Sequence, residues 1–447
     1  MSAGVTPKPS ATPADRLAER ISQEHTAARD GLPATVVSAE RRLRAVASLA
    51  ATGLPTTRDE NWKYANLRPV ERVKFAPAAQ RPRTEITAAE LPPVIEGYAR
   101  YAFVDGVLAP ELSAASTPRG VSVTSLRVGA SSANAAASEA SRPDERFALL
   151  NDAFATDGAA IHVAKGIDCA ACIEIVFIAT ESAQVAASYP RVELNVESNA
   201  HVGLIERHIS LHNDANFVNG AVQVNIGAGS QVKHYRLQQA GVQSTWIDTL
   251  SATVAQDAKY TVHAVNLGGL SARSTMHIEL VGPRAELALH VVSLADGQQV
   301  HDAYALVEHI GANTKSDQRV RGIAAGRGRV GFNSKVVVRK HARGADSRQS
   351  LRGLLAGSQA EIDVRPQLEI YTDDVRCSHG ATAGKLDDNM LFYMLSRGIE
   401  PETAQQLLKW AFLEDVVSRI EIPELRRYIE TNLAGQMKET AALKELI

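Results

Sequence analysis

Apolar residues recur along this chain with two different periods. From residue 14 to about 52 the spacing is helical: Leu17 and Ile21 stand one turn apart, and Leu43, Val46 and Leu49 or Ala50 form a stripe that stops at Gly53 and Pro55. Tyr101 to Ser113 has the composition of a strand with a turn at Asp105-Gly106. From about Ala159 to Tyr371 the period falls to two, in "VELNV", "VQVNI", "YTVHAV", "AELALHVV" and "KVVVRK". Beyond His379 the helical spacing returns. Asp387 or Asp388 is placed to cap a helix that stops at Gly398, and Pro401 opens the next. Ala404, Leu408, Ala411 or Phe412, Val416 and Ile420 then line one face.

The period-two region is also repetitive on a longer scale. Small or polar corners fall near Ala200, Gln231, Ala258, Ala285, Arg329 and Ala360, about 30 residues apart and loosened once. Recurrent strand-corner units predict stacked coils, as a β-helix or a large sandwich, in which each unit needs its neighbours to bury its inward residues. The chain therefore divides into four parts. Residues 1–100 form an N-terminal helical region, with the Ala/Pro/Ser/Thr-rich residues 1–13 disordered. Residues 101–158 are a connecting segment, Ala/Ser-rich around 130–141. Residues 159–385 are the β core, and residues 386–447 a C-terminal helical region.

Composition narrows the class. A chain of 447 residues can bury a substantial core, and an aromatic content of only 5% suits thin stacked layers. A net charge of -2 argues against non-specific nucleic-acid binding. No apolar run approaches the roughly 20 residues of a membrane span, the N-terminus lacks the apolar segment of a signal peptide, and three cysteines make no disulfide framework. The expected compartment is the cytoplasm.

Three motifs invite chemistry and fail its requirements. Gly380 and Gly384 before Lys385 resemble a phosphate loop, but only three residues separate the glycines and Leu386 stands where a hydroxyl must hold magnesium. "GRGRVG" (Gly326 to Gly331) runs into the β-rich "FNSKVVVRK" rather than a helix, so it is read as a corner. Cys169 and Cys172 precede a strand, where residues three apart point to opposite faces, and are read as structural. The remaining histidines are scattered and are read as solvent-facing or satisfied strand residues.

Cys377 and His379 differ. On extended backbone, residues two apart share a face, so a thiol and an imidazole stand side by side. Arg376 and His379 are cations that could lower the thiol's pKa, and thiolate is the form that accepts sulfur or ligates iron. The residues alone leave two readings open, a ligand pair or a buried cysteine beside a turn histidine.

"RPQLEIYTDDVRCSHGATAGKLDDNMLFYMLSRGI" closely resembles the signature of the SufB/SufD family, scaffold subunits of the SUF iron–sulfur assembly machinery. "FALLNDAFATDGAAIHV", "FNSKVVV" and "RGLLAGSQAEIDVRPQLEI" are similar to that family too, so the resemblance spans most of the chain. "GLPTTRDENWKYANL" and "AQQLLKWAFLEDVVSRI" resemble its SufD branch. The resemblance implies a mainly β fold, with a right-handed parallel β-helix core between helical ends. It implies pairing with a SufB-like subunit through the β-helix, docking of a SufC-like ATPase on the C-terminal helices, and a non-catalytic scaffold role. No nucleic acid or membrane partner is implied, and a homodimer is an option in isolation. His379 and Cys377 match the proposed assembly site, where they would serve as transient ligands for iron or a [4Fe–4S] cluster on the assembled complex. Two ligands do not hold such a cluster alone, so the chain by itself holds no stable cofactor. A flavin on the complex is an option to which no residue points. A SufB-type main scaffold is the alternative within the family. A carbohydrate-active β-helix enzyme is the alternative outside it, but Asp373-Asp374 is the only obvious acidic cluster for it.

Overall fold

Alternating strands stack here by pairing with the second strand along the chain, not the next. In the computed structural model, which describes residues 13–77, 86–129, 143–180 and 186–437, this makes two ten-stranded sheets. From Arg191–Val196 onward successive strands belong to opposite sheets and each pairs in parallel, as Gln231–Gln239 does with His201–Ser210 and Lys259–Asn266, whereas Val107–Leu108 and Val121–Ser125 pair antiparallel at the start. The result is mainly β, a solenoid of about seven coils with helices at both ends. Its lumen is filled by inward residues such as Leu204, Val224, Leu250, Val262, Ile278, Leu289 and Val307. Strands Ala99–Val104 and Val121–Ser125, from the predicted connecting segment, join the two sheets. The expected disorder of residues 1–12 and the Ala/Ser-rich stretch at 130–142 lie outside the described residues.

The corners are backbone devices. Asn199, Gly229, Asp257, Arg284, Asn313 and Gly344 all take φ between 55 and 72°. Each donates its N–H to a carbonyl of the next coil, at 2.7 to 3.0 Å, so the sheet ladder continues through the turn. Four of the six carry a side chain in a conformation that costs L-residues about 1 kcal/mol or more. At Arg284 the guanidinium holds the Asp257 carboxylate of the preceding corner at 2.5 and 2.7 Å.

Both ends are strapped onto outer sheet faces. At the N-terminal side lie helices α1 (Pro13–Ala28), α2 (Ala39–Thr52) and α3 (Arg146–Phe154). Trp62 is fully buried there, its ring 5.2 Å from Phe147 and capped at 4.3 Å by the guanidinium of Arg273 from the solenoid. Arg273 also donates to the Asn61 carbonyl at 2.8 Å. At the other end, α4 (Asp388–Ser396) is followed by α5 (Pro401–Val417) and α6 (Pro423–Gln436). Leu413, Val416, Ile420, Leu425 and Ile429 bury against Tyr235, Val265 and Val292 of the sheet. Of the stripe predicted for α5, Val416 and Ile420 are core, whereas Leu408 and Phe412 are half-buried. Arg321 pairs with Asp415, Lys233 with Glu421 at 2.5 Å, and Arg207 lies 4.6 Å over Tyr428. Among the described residues, no helix is long and apolar enough to cross a membrane.

The seam between α5 and α6 carries a pH dependence. Burial, then the charge of Glu430, raises the Glu414 carboxyl from 4.5 to about 7, against the opposing pull of Arg426. The native chain keeps a proton there that the unfolded chain releases, so stability falls as pH rises from 4.5 through about 7. Glu414→Gln is expected to raise the melting temperature at pH 8, by an amount that shrinks toward pH 5. Thermal denaturation at the two pH values checks it, and an equal shift at both would contradict the assignment.

Candidate functional site

The last coil differs from the rest of the solenoid in what lines its interior. In the sheet that ends with Val375–Gly384, the register stacks inward residues into columns. One column runs Val202, Val232, Tyr260, Leu287, Ser316, Ser347, Cys377. Its neighbour runs Leu204, His234, Val262, Leu289, Gln318, Gln349, His379. Both columns turn wholly polar over the final three coils, and both end in the Cys-x-His pair.

Hydrogen bonds hold that polar end open rather than collapsed. Ser316 donates to the Ser347 hydroxyl at 2.9 Å, and the buried His309 ring meets Ser316 and Thr314, each at 2.9 Å. Burial lowers His309 to about 4, so it stays neutral. Ser334 donates to Gln318 at 2.5 Å, and Gln349 donates to the Ser334 hydroxyl at 2.8 Å. The Gln318 amide nitrogen and the Gln349 amide oxygen have no partner among the described residues. Buried polar atoms without partners are costly, and here they sit one and two coils behind His379.

Cys377 is half-buried and packs against the core cluster, while His379 is exposed. The thiol is not activated in this chain alone. Partial burial raises its pKa and the Asp346 carboxylate adds to that, against the Ser347 backbone N–H. The expectation of a thiol lowered by Arg376 and His379 is therefore corrected: Arg376 lies on the opposite face of the strand, and desolvation dominates.

Among the described residues this coil has no further strand beyond it. Val375–Gly384 ends one sheet and Glu361–Ile370 ends the other. Both are edge strands with open ladders, a ready template for another chain. Three residues link Val375–Gly384 to α4, which packs against α5 and buries none of its residues, and Met390, Phe392 and Tyr393 are 59, 73 and 60% exposed. Such a group of large apolar side chains marks an interaction surface.

Elsewhere the motifs resolve into structure. Gly326 takes φ 59° at a corner leading into strand Arg329–Val338, so "GRGRVG" is a turn. Cys169 and Cys172 depart from the simple alternation that placed them on opposite faces. A register shift between Cys169 and Ile173 forms a bulge that brings the thiols close together, with the Cys169 thiol donating to the Ala171 carbonyl at 3.5 Å. Burial raises both, and Cys172 is fully in the core. The histidines divide between the two readings: His162 and His201 face solvent, whereas His208, His234, His277 and His309 are buried with hydrogen-bonding partners and His263 packs on His290.

Comparison with known proteins supplies the context. Residues 177–412 match the family model described as SUF system FeS cluster assembly, SufBD core domain, and residues 21–175 match the SufBD protein N-terminal region. The iron–sulfur cluster assembly protein SufD of Escherichia coli is 31% identical over 399 residues, covering 87% of this chain and 90% of that protein. An iron–sulfur cluster assembly SufBD family protein of Synechocystis is 26% identical, covering 86% and 88%. Protein ABCI7, chloroplastic, of Arabidopsis thaliana is 27% identical, covering 57% and 54%.

Proposed function

The chain belongs to the SufBD family of iron–sulfur cluster assembly proteins, and from that premise we propose that it serves as a SufD-type scaffold subunit that lends Cys377 and His379 to a cluster forming against a SufB-type partner. The observation that carries this reading is the pair of polar columns ending on an unpaired terminal coil. A [4Fe–4S] cluster takes four protein ligands. Two from this edge leave the others to a partner, which fits a transient cargo better than a resident cofactor. The role is non-catalytic, and nucleotide hydrolysis belongs to a SufC-type ATPase docked on α5 and α6. Those helices are held to the sheet by the packing of Leu413, Val416, Leu425 and Ile429 on Tyr235, Val265 and Val292 and by Arg321–Asp415, so displacement of the helices is passed to the coils beneath.

The reading is tested by co-expression with SufB-type and SufC-type partners, followed by stoichiometry and anaerobic iron–sulfur reconstitution read by visible absorbance. A stable mixed complex that gains cluster absorbance is expected, and a chain that binds neither partner overturns the reading. Phe392→Asp is expected to weaken pairing with the SufB-type subunit about tenfold or more, the scale of a central apolar contact. Because Phe392 is exposed, the variant's own melting temperature should match wild type. Unchanged pairing, measured by titration calorimetry, would place α4 outside the interface.

A further inference from the structure

On the opposite sheet, an imidazole and two carboxylates converge on the outer face. Strands Ser271–Leu280 and Val300–His309 pair in parallel with Glu279 directly opposite Glu308, and His277 precedes Glu279 by two residues on the same face. Like charges directly opposite on adjacent strands are destabilising, which makes this an expensive pair to place without a purpose. His277 and Glu308 are buried, and Glu279 is half-buried and keeps the group open to solvent.

The spacing fits a shared ion. His277 Nε2 lies 3.0 Å from Glu308 Oε1 and 3.7 Å from Glu279 Oε1, and one ligand atom from each of the three residues falls within 4.8 Å of the other two. Two donors bound to one first-row ion at about 2.1 Å stand about 3.0 to 3.6 Å apart for bond angles from about 90 to 120°, so His277 and Glu308 already stand in range and the half-buried Glu279 closes on the ion by a small side-chain movement. A surrounding shell is present as well. The other imidazole nitrogen, Nδ1, faces Glu145 Oε1 at 3.5 Å, at the start of α3. Arg339 Nε donates at 2.8 Å to Glu308 Oε2, the oxygen turned away from the imidazole. Carboxylate behind histidine, and a cation anchoring the far oxygen of a carboxylate, are how metal ligands are oriented.

We propose that His277, Glu279 and Glu308 form a mononuclear site for a divalent first-row transition-metal ion, with Glu145 and Arg339 as positioning residues. One imidazole and two carboxylates, with no thiolate, select Mn(II), Fe(II), Co(II) or Zn(II) over Cu(I). The site is independent of Cys377 and His379, which end the other sheet.

The test is titration of the full chain with Co(II) under anaerobic conditions, read by visible absorbance and by melting temperature. One equivalent is expected to bind with weak ligand-field bands, without thiolate charge-transfer bands, and to raise the melting temperature. Glu279→Gln is expected to weaken binding about tenfold or more, and its metal-free melting temperature should lie at or above wild type because the change removes the repulsion between Glu279 and Glu308. His277→Ala should abolish the bands. Absence of binding, equal binding in wild type and Glu279→Gln, or thiolate bands would each overturn the proposal. None of these outcomes depends on partner pairing, so the assembly role stands or falls separately.

Discussion

His379→Ala is expected to leave the mixed complex assembled and to cut its cluster absorbance at least about tenfold, the scale on which even residues that orient a ligand act. His379 is exposed on an edge strand, so its truncation removes no core contact and the chain should fold as before. What disappears is an imidazole at the mouth of a polar column, opposite Gln349. Reconstitution of wild type and variant side by side, with complex stoichiometry measured on the same samples, separates lost ligation from lost assembly. Normal cluster yield in the variant would remove His379 from the site. Cys169→Ser should leave the yield unchanged, since that thiol lies on a bulge at the far end of the same sheet. The raised Cys377 thiol adds a sign. It must lose its proton to bind iron, so cluster loading should improve as pH rises, and Cys377→Ser should flatten that slope.

Trp62→Ala is expected to destabilise the chain by about 3–5 kcal/mol, the cost of emptying an aromatic site in a core. The indole fills the seam between the N-terminal helices and the solenoid, and its removal also uncovers Arg273, whose guanidinium caps the ring. The indole N–H has no hydrogen-bond partner among the described residues, so Trp62→Phe should cost much less than Trp62→Ala. Denaturant unfolding gives the magnitude, and limited proteolysis should cut the alanine variant first in its N-terminal region. A loss below about 1 kcal/mol, the typical effect of an ordinary point change, would mean that this seam is held elsewhere.

Much of this architecture was legible in the chain because stacking leaves a period. The loosened spacing among the predicted corners has a physical cause. Corners near Ala200, Gln231, Ala258 and Ala285 lead into one sheet, whereas those near Arg329 and Ala360 lead into the other, half a coil out of phase. The Cys-x-His pair was visible for the same reason that any two residues on a strand share a face. The polar columns behind it were not read, although their signal is present. Ser316-x-Gln318 and Ser347-x-Gln349 precede Cys377-x-His379 by multiples of one coil and occupy the same register. Seeing them requires knowing which parity faces inward, and only the stacked fold decides that. The meeting of His277, Glu279 and Glu308 was hidden by distance along the chain, since adjacent coils bring together residues about 30 apart. The contact between Cys169 and Cys172 was hidden by a bulge, which breaks the alternation on which face assignment depends.

The open edge of the last coil has a consequence for motion. In a solenoid, each coil is held by its two neighbours, and the last by one. Cooperative unfolding can therefore begin at that end, and amide hydrogens of Val375–Gly384 should exchange faster than those of the interior strands. A partner that adds strands there turns a terminal coil into an interior one. Association would then slow exchange around Cys377 and His379 by an amount that measures the docking free energy. Slower exchange on association would mean that part of the pair's rigidity, and with it the capacity to hold iron, comes from assembly.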